Sequence, residues 1–289
     1  VRKIVDAFLS CAYDEIGVSW AAAQAVSDAY RSLELSLSAT VTPWQGGRWR
    51  FSVERTVAPL NASGFVTFVQ TAGRPGDASF QPDHEWRYAA SLSQQLPAGG
   101  DLSVDRTRSQ LQSVTELGPA GQSEAPMSIG PGERQRVQVS LTAPLAAAGL
   151  KSATLTGQGA WASSRVTDPV THAARMASGE TPYQAELGLN QTLADGRLSV
   201  GLKGQLTGEQ QYYEPARVTV LSPTAGLGAV VTFAPGAYAV RLEAQNLVGG
   251  GRASDVAVYR GPRAVSELDH VEQSQIQDRS VRLSLARSF

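Results

Sequence analysis

His84, His172 and His270 are the chain's only imidazoles, and Cys11 is its only thiol. Acid–base or nucleophilic catalysis needs such groups within hydrogen-bond reach of one another. These lie far apart in sequence, in predicted loops or at a strand start, and a solvated loop position is the simpler account of each histidine. A single cysteine excludes an intrachain disulfide and a thiolate zinc cluster. No GxSxG, HExxH, phosphate-binding loop or dinucleotide fingerprint occurs. Asp83 and the Asp168-Pro169 pair could offer carboxylates to Ca²⁺ or a substrate in an outer loop, although turn formation already explains Asp and Pro there. Tyr212-Tyr213 could stack on a ligand near an outer rim, and an interfacial position explains the pair more simply. The sequence therefore designates no catalytic, cofactor-binding or metal-binding residue, leaves the ligand-binding residues open, and reads as a non-enzyme without a cofactor.

What remains is the scaffold. Charged residues make up 18% and hydrophobic residues 42% of the 289, with Gly 28 and Pro 15. That is lean in charge for a soluble protein of this size. The formal net charge of −1 provides no electrostatic footprint for nucleic acid. No apolar run approaches the roughly 20 residues of a spanning helix, so strands are the only route through a bilayer.

From about residue 30 onward, apolar and polar residues alternate with period two, the signature of a strand with two unlike faces. Leu33, Leu35, Leu37, Ala39 and Val41 alternate with Glu34, Ser36, Ser38 and Thr40. Val137, Val139, Leu141, Ala143 and Leu145 are set against Gln138, Ser140 and Thr142. Leu198, Val200, Leu202 and Leu206 are set against Ser199, Lys203, Gln205 and Thr207. About eleven such segments are expected, near 30–42, 48–57, 85–97, 101–115, 132–145, 150–165, 182–193, 197–208, 227–234, 237–247 and 278–289. Residues 1–29 break the pattern; being Ala-rich, they are expected to be irregular or to form one or two short helices.

A soluble sandwich would alternate too. The segments, however, run to about the 9–11 residues that a tilted membrane strand requires. Short turns at Gln45-Gly46-Gly47, Pro97–Gly100, Ala146–Gly149, Asp195-Gly196 and Pro235-Gly236 alternate with long loops near 58–84, 116–131, 166–181, 208–226 and 248–277, as in outer-membrane barrels. Glu34, Glu54, Glu186, Lys203, Arg241 and Glu243 on the polar faces suit a wet lumen. Trp49, Trp86, Tyr88, Trp161, Tyr183 and Tyr238 lie toward strand ends, where aromatic girdles form. An outer-membrane phospholipase would need a Ser and a His paired at the lipid-facing rim, and no His is expected in an outward strand register. Bacterial single-chain barrels have even strand numbers. An odd count, with no initiator Met and no secretory leader, predicts a C-terminal piece of a larger barrel.

Residues 48–60, RWRFSVERTVAPL, leading to Gly64-Phe65-Val66-Thr67-Phe68-Val69, resemble a segment of the TonB-dependent receptors of alphaproteobacteria. Similar stretches follow at Pro82–Tyr88, at Ser164–Thr171 with Ser178–Pro182, at Asn246-Leu247 and at the closing Leu283–Phe289. The terminal strand ending on Phe289 resembles the signal by which barrels are recognised for assembly. The resemblance covers about residues 30–289 and implies an all-β, antiparallel transmembrane barrel. This chain would be the C-terminal half of a 22-stranded wall in the bacterial outer membrane. It further implies contact with outer-membrane lipid, the barrel assembly machinery acting on the strand that ends at Phe289, and a plug domain and TonB reached through a missing N-terminal part. The implied cargo is a siderophore or other metal chelate, a cobalamin or a saccharide. The competing expectation is an autotransporter translocator, a closed 12-stranded barrel with residues 1–29 as a helix in its pore.

Overall fold

The structure is a computed structural model that describes residues 5–20, 26–58, 82–120, 123–260, 263, 267–275 and 278–287. Apart from three single 3-10 turns, its regular elements are all strands. β1 (Val5–Trp20), β2 (Val26–Trp44) and β3 (Gly47–Val57) come first, then β4 (His84–Leu96), β5 (Gly100–Ala120) and β6 (Ser123–Ile129). Next are β7 (Gly132–Pro144), β8 (Ala153–Thr167), the two-residue β9 (Ala174–Arg175), β10 (Tyr183–Leu193) and β11 (Leu198–Thr207). The remaining strands are β12 (Gln210–Glu214), β13 (Arg217–Leu221), β14 (Thr224–Phe233), β15 (Tyr238–Gln245), β16 (Arg252–Tyr259), β17 (Glu267–Gln275) and β18 (Ser280–Arg287).

Twelve of them form one antiparallel wall in the order β1-β2-β3-β4-β5-β7-β8-β10-β11-β14-β15-β18. The eleven segments expected from alternation correspond one for one to β2 through β18 of that path. The twelfth strand corrects the reading of residues 5–20, and β2 that of residues 26–29, while residues 1–4 and 21–25 lie outside the described residues. Where short helices or irregular chain are expected, β1 pairs with β2 from Val5↔Val41 to Trp20↔Val26 without a register shift. Helix propensity in an Ala-rich stretch is a weak prior, and a sheet edge lined with open donors and acceptors overrides it. Among the described residues no pairing joins β1 to β18.

Register keeps the two faces separate across the wall. On one face Ser36↔Glu54, Glu54↔Arg87, Arg87↔Ser109 and Ser109↔Arg134 continue from strand to strand. On the other, Val137↔Trp161, Trp161↔Tyr183, Leu189↔Leu202, Val200↔Val231, Val231↔Leu242 and Leu242↔Leu283 do the same. A one-residue slip within a seam would exchange the faces beyond it, and in the wall the register shifts only at Val41/Trp44 and His84/Glu85, near strand ends. Among the described residues nothing covers the apolar face: Leu187, Leu206 and Leu202 are 57%, 51% and 45% exposed.

The ends of the wall differ. At one end lie the short turns, three of them as 3-10 turns at Pro97–Gly99, Leu145–Ala148 and Ala194–Gly196. Gly149 closes the second at φ 85, a left-handed conformation that a side chain would strain. At the other end the segments expected as loops carry strands of their own. β6 folds back on β5, β9 on β8, and β12-β13-β16-β17 form a separate four-stranded sheet, because hairpin ladders keep pairing beyond the band where alternation is clear. Most buried apolar residues gather at this end, among them Leu111, Val114, Leu117, Ala125, Val166 and Ala177.

Candidate functional site

Two surfaces can meet a ligand: the polar face of the wall and the cap at its loop end. The polar face is built by alternation alone. Gln158, Glu186 and Gln205 stand opposite one another on β8, β10 and β11, with Asp105 and Gln138 paired on β5 and β7. They line two adjoining hollows of about 510 and 550 Å³. Cations and carboxylates there neutralise each other, Lys203 Nζ lying 3.0 Å from Glu186 and Arg241 Nη2 3.2 Å from Glu243. All four side chains are more than a quarter exposed, so the face offers interchangeable donors and acceptors to water or a polar solute rather than an aligned acid–base pair.

The cap is held by buried charge. Asp168, 1% exposed, accepts hydrogen bonds at Oδ1 from the backbone N–H groups of Val170 and Thr171, at 2.8 and 3.0 Å. At Oδ2 it receives Arg175 Nε at 2.6 Å and Arg263 Nη1 at 2.9 Å. Arg175 also donates to Glu116 at 3.0 Å, and Glu116 takes the Ser178 N–H at 2.8 Å. Arg263 grips Glu124 through its backbone N–H and Nε. Tyr213 lies under both guanidiniums, 3.8 Å from Arg175 and 4.8 Å from Arg263, a cation–π contact strengthened by desolvation. The network thus ties the β5–β6 hairpin, the segment after β8, the β12 hairpin and the chain at Arg263 into one unit.

Ionisation follows from these contacts. Burial by itself would raise the Asp168 carboxyl, but the Thr171, Arg175 and Val170 hydrogen bonds and the Arg263 charge outweigh it and hold the group at about 2. Burial would lower Arg175, whereas Asp168 and Glu116 overcompensate and raise it. Burial pushes the Tyr213 phenol up.

The three histidines are not brought together. His84 opens β4, His172 lies in the turn after β8 at φ 59, and His270 on β17 contacts Asp255 at 2.6 Å. His84 corrects one expectation, since it stands opposite Val57, in the register of outward-facing Trp86 and Arg55. Its cross-strand neighbour Ser113 donates instead to the Pro82 carbonyl at 2.7 Å, so no Ser–His pair results. Among the described residues no cluster of three His, Cys, Asp or Glu could hold a metal ion. Asp83 accepts from Thr115 at 2.8 Å, while the oxygens of Asp168 are taken up by arginines and backbone. Tyr213 is enclosed by the two arginines, and Tyr212 is its exposed neighbour. Glu116, Glu124, Arg175 and Arg263 have no local sequence signature; only their pairing over long separations distinguishes them. Gly64–Val69 and Phe289 lie outside the described residues.

No protein-family model matches the chain, and no curated protein matches it in sequence. Its fold is similar to that of the FrpB iron transporter from Neisseria meningitidis (F3-3 variant), with a TM-score of 0.66 at 12% identity over 99% of this chain and 43% of that one. It is likewise similar to the siderophore receptor PiuA from Acinetobacter baumannii, with a TM-score of 0.65 at 12% identity over 99% of this chain and 40% of that one. The chain therefore spans less than half the length of either protein and has the all-β, antiparallel wall of an outer-membrane barrel.

Proposed function

We propose that this chain is part of the wall of a bacterial outer-membrane receptor that imports a scarce ligand, energised through TonB, and that it performs no catalysis itself. One observation carries the reading: twelve antiparallel strands paired edge to edge present an apolar face that no described residue covers and an opposite face lined with polar side chains. In water such an apolar expanse would be a severe liability; against lipid it is the ordinary exterior of a barrel. The polar face then lines the lumen, and the short turns face the periplasm.

Wall closure requires further strands. On β18, Val281, Leu283 and Leu285 are 70%, 71% and 73% exposed, well above the apolar residues of interior strands, because its second side has no partner among the described residues. About half of a 22-stranded wall with a plug in the remainder accounts for this edge and for the share of the two receptors that the chain covers. The names of those proteins favour an iron chelate as cargo over a cobalamin or a saccharide. A closed autotransporter barrel with a pore helix is disfavoured, since residues 5–20 are a wall strand.

The test is site-directed labelling in proteoliposomes, in a Cys11→Ser background. Probes at Leu187 and Leu242 should be quenched by lipid-borne quenchers, and probes at Gln205 and Glu243 by water-soluble ones. The opposite pattern, or a monomer stable in plain buffer, overturns the membrane assignment. Iron-chelate uptake by the parent protein that persists in cells lacking TonB overturns the energised-receptor assignment alone.

A further inference from the structure

The polar face of the wall is built differently in its two halves. Across β3, β4, β5 and β7 the rows Arg50–Ser91–Asp105–Gln138 and Ser52–Ala89–Thr107–Arg136 carry a side chain at every position. From β8 onward a glycine recurs in that register at three consecutive seams, as Thr156↔Gly188, Asn190↔Gly201 and Gln205↔Gly226. In each pair the polar side chain reclines over the glycine beside it. A Cβ at Gly188 would come within 2.6 Å of Thr156 Oγ1, one at Gly201 within 2.7 Å of Asn190 Oδ1, and one at Gly226 within 3.0 Å of Gln205 Nε2. Glycine inside a strand weakens it and marks a place where something approaches the backbone closely. Its repetition here thins the wall from the polar side, and the hollow of about 550 Å³ lies along the thinned strip.

Charge divides along the same line. On the filled half, Arg48, Arg50 and Arg136 are exposed and have no ion pair among the described residues. Along the hollow, Lys203 is matched to Glu186 and Arg241 to Glu243, and no aromatic ring lines it. The filled half therefore suits a carboxylate-bearing surface that stays in place. The hollow instead offers a moving solute weak, interchangeable hydrogen bonds without net charge, and passage requires binding favourable enough for entry and weak enough for exit.

We propose that solute moves along the glycine-thinned half of the lumen, between β8 and β15, and that it is a hydrated, net-neutral molecule rich in hydroxyl or carbonyl oxygens. The path rests on the receptor reading above and adds which side of the lumen carries the traffic. A plug backbone seated on the glycines is the competing occupant, and it would shield the side that the path leaves open.

The experiment is thiol labelling of intact cells that make the parent protein with Cys11→Ser and any other native thiol removed. Single substitutions Gln205→Cys and Gln245→Cys report on the hollow, and Ser91→Cys and Thr107→Cys on the filled half at a similar remove from the short turns. The probes are a glucose-linked maleimide, neutral and rich in hydroxyls, and a sulfonate-linked one, each rate being divided by that with free cysteine. Gln205→Cys and Gln245→Cys should react with the glucose-linked probe at least tenfold faster than the other two, and faster than with the sulfonated probe. The hollow-filling pair G188V/G226V should slow Gln245→Cys at least tenfold, whereas S52V/A89V should not; the four single-cysteine rates decide the matter even where the filled variant fails to insert. Equal rates on the two halves, faster reaction at Ser91→Cys and Thr107→Cys, no reaction at any of the four, preference for the sulfonated probe, or indifference to G188V/G226V in inserted protein overturns the path and leaves the barrel intact. Reaction of Gln205→Cys and Gln245→Cys with a lipid-dissolved maleimide alone overturns the membrane reading itself.

Discussion

The wall and the cap solve opposite problems with the same backbone. In the wall, strands such as β10 and β11 expose side chains on both faces, and charged pairs such as Lys203–Glu186 sit half in solvent. In the cap, Glu124, Asp168 and Arg263 are almost wholly buried, and each carboxylate meets a guanidinium or a backbone N–H. A wall can tolerate nearly any substitution that respects its two faces. The cap depends on individual partners, because a buried charge that loses its counter-charge has no water to fall back on. Specificity in this molecule is therefore concentrated at the loop end and diluted along the strands.

Four perturbations sharpen that contrast. Arg263→Ala should act most strongly, leaving Glu124 buried without its partner at a cost of roughly 3–5 kcal/mol. Hydrogen exchange should accelerate in β6 and around Asp168 while β10 and β11 keep their protection. In the wall, Leu202→Arg places a charge on the apolar face and should destabilise the inserted protein by about 2–4 kcal/mol, read from urea unfolding in lipid vesicles. If Arg263→Ala instead loosens the wall as much as the cap, the two regions are one cooperative unit. Acid comes third. Asp168 is depressed from 3.8 to about 2, so its contribution is complete above about pH 4 and is lost as pH falls through 2. The loss is about 2 kcal/mol, and cap exchange should be flat from pH 5 to 8. Asp168→Asn should remove the acid dependence; a variant that retains it points to another carboxylate. Smallest is Lys203→Ala, which breaks an exposed pair and should change wall stability by at most about 0.5 kcal/mol.

Much of the wall is legible in the sequence because its code is local. Period-two alternation locates β2 and the ten wall strands from β3 onward, and the turn glycines place their short connections. β1 escapes because its evidence is not local; its strand state comes from the β2 edge beside it. The outer sheet β12-β13-β16-β17 escapes for a similar reason, β12 and β13 being five residues each and β13 reaching β16 across the wall strands β14 and β15. The cap is the least legible region. Asp168 stands out as a possible ligand to Ca²⁺ or substrate, whereas Arg175 and Arg263 occupy both the carboxylate and the Tyr213 ring face. Glu124 and Arg263 are 139 residues apart, and no spacing rule joins residues at that distance.

That β18 has no second strand partner among the described residues has a practical corollary. A row of unsatisfied backbone donors and acceptors is a template that accepts whatever strand arrives first. Produced without a proper neighbour, this polypeptide should zip edge to edge with another molecule of itself. Its solubility in detergent would then be governed by strand supply during refolding more than by the choice of surfactant.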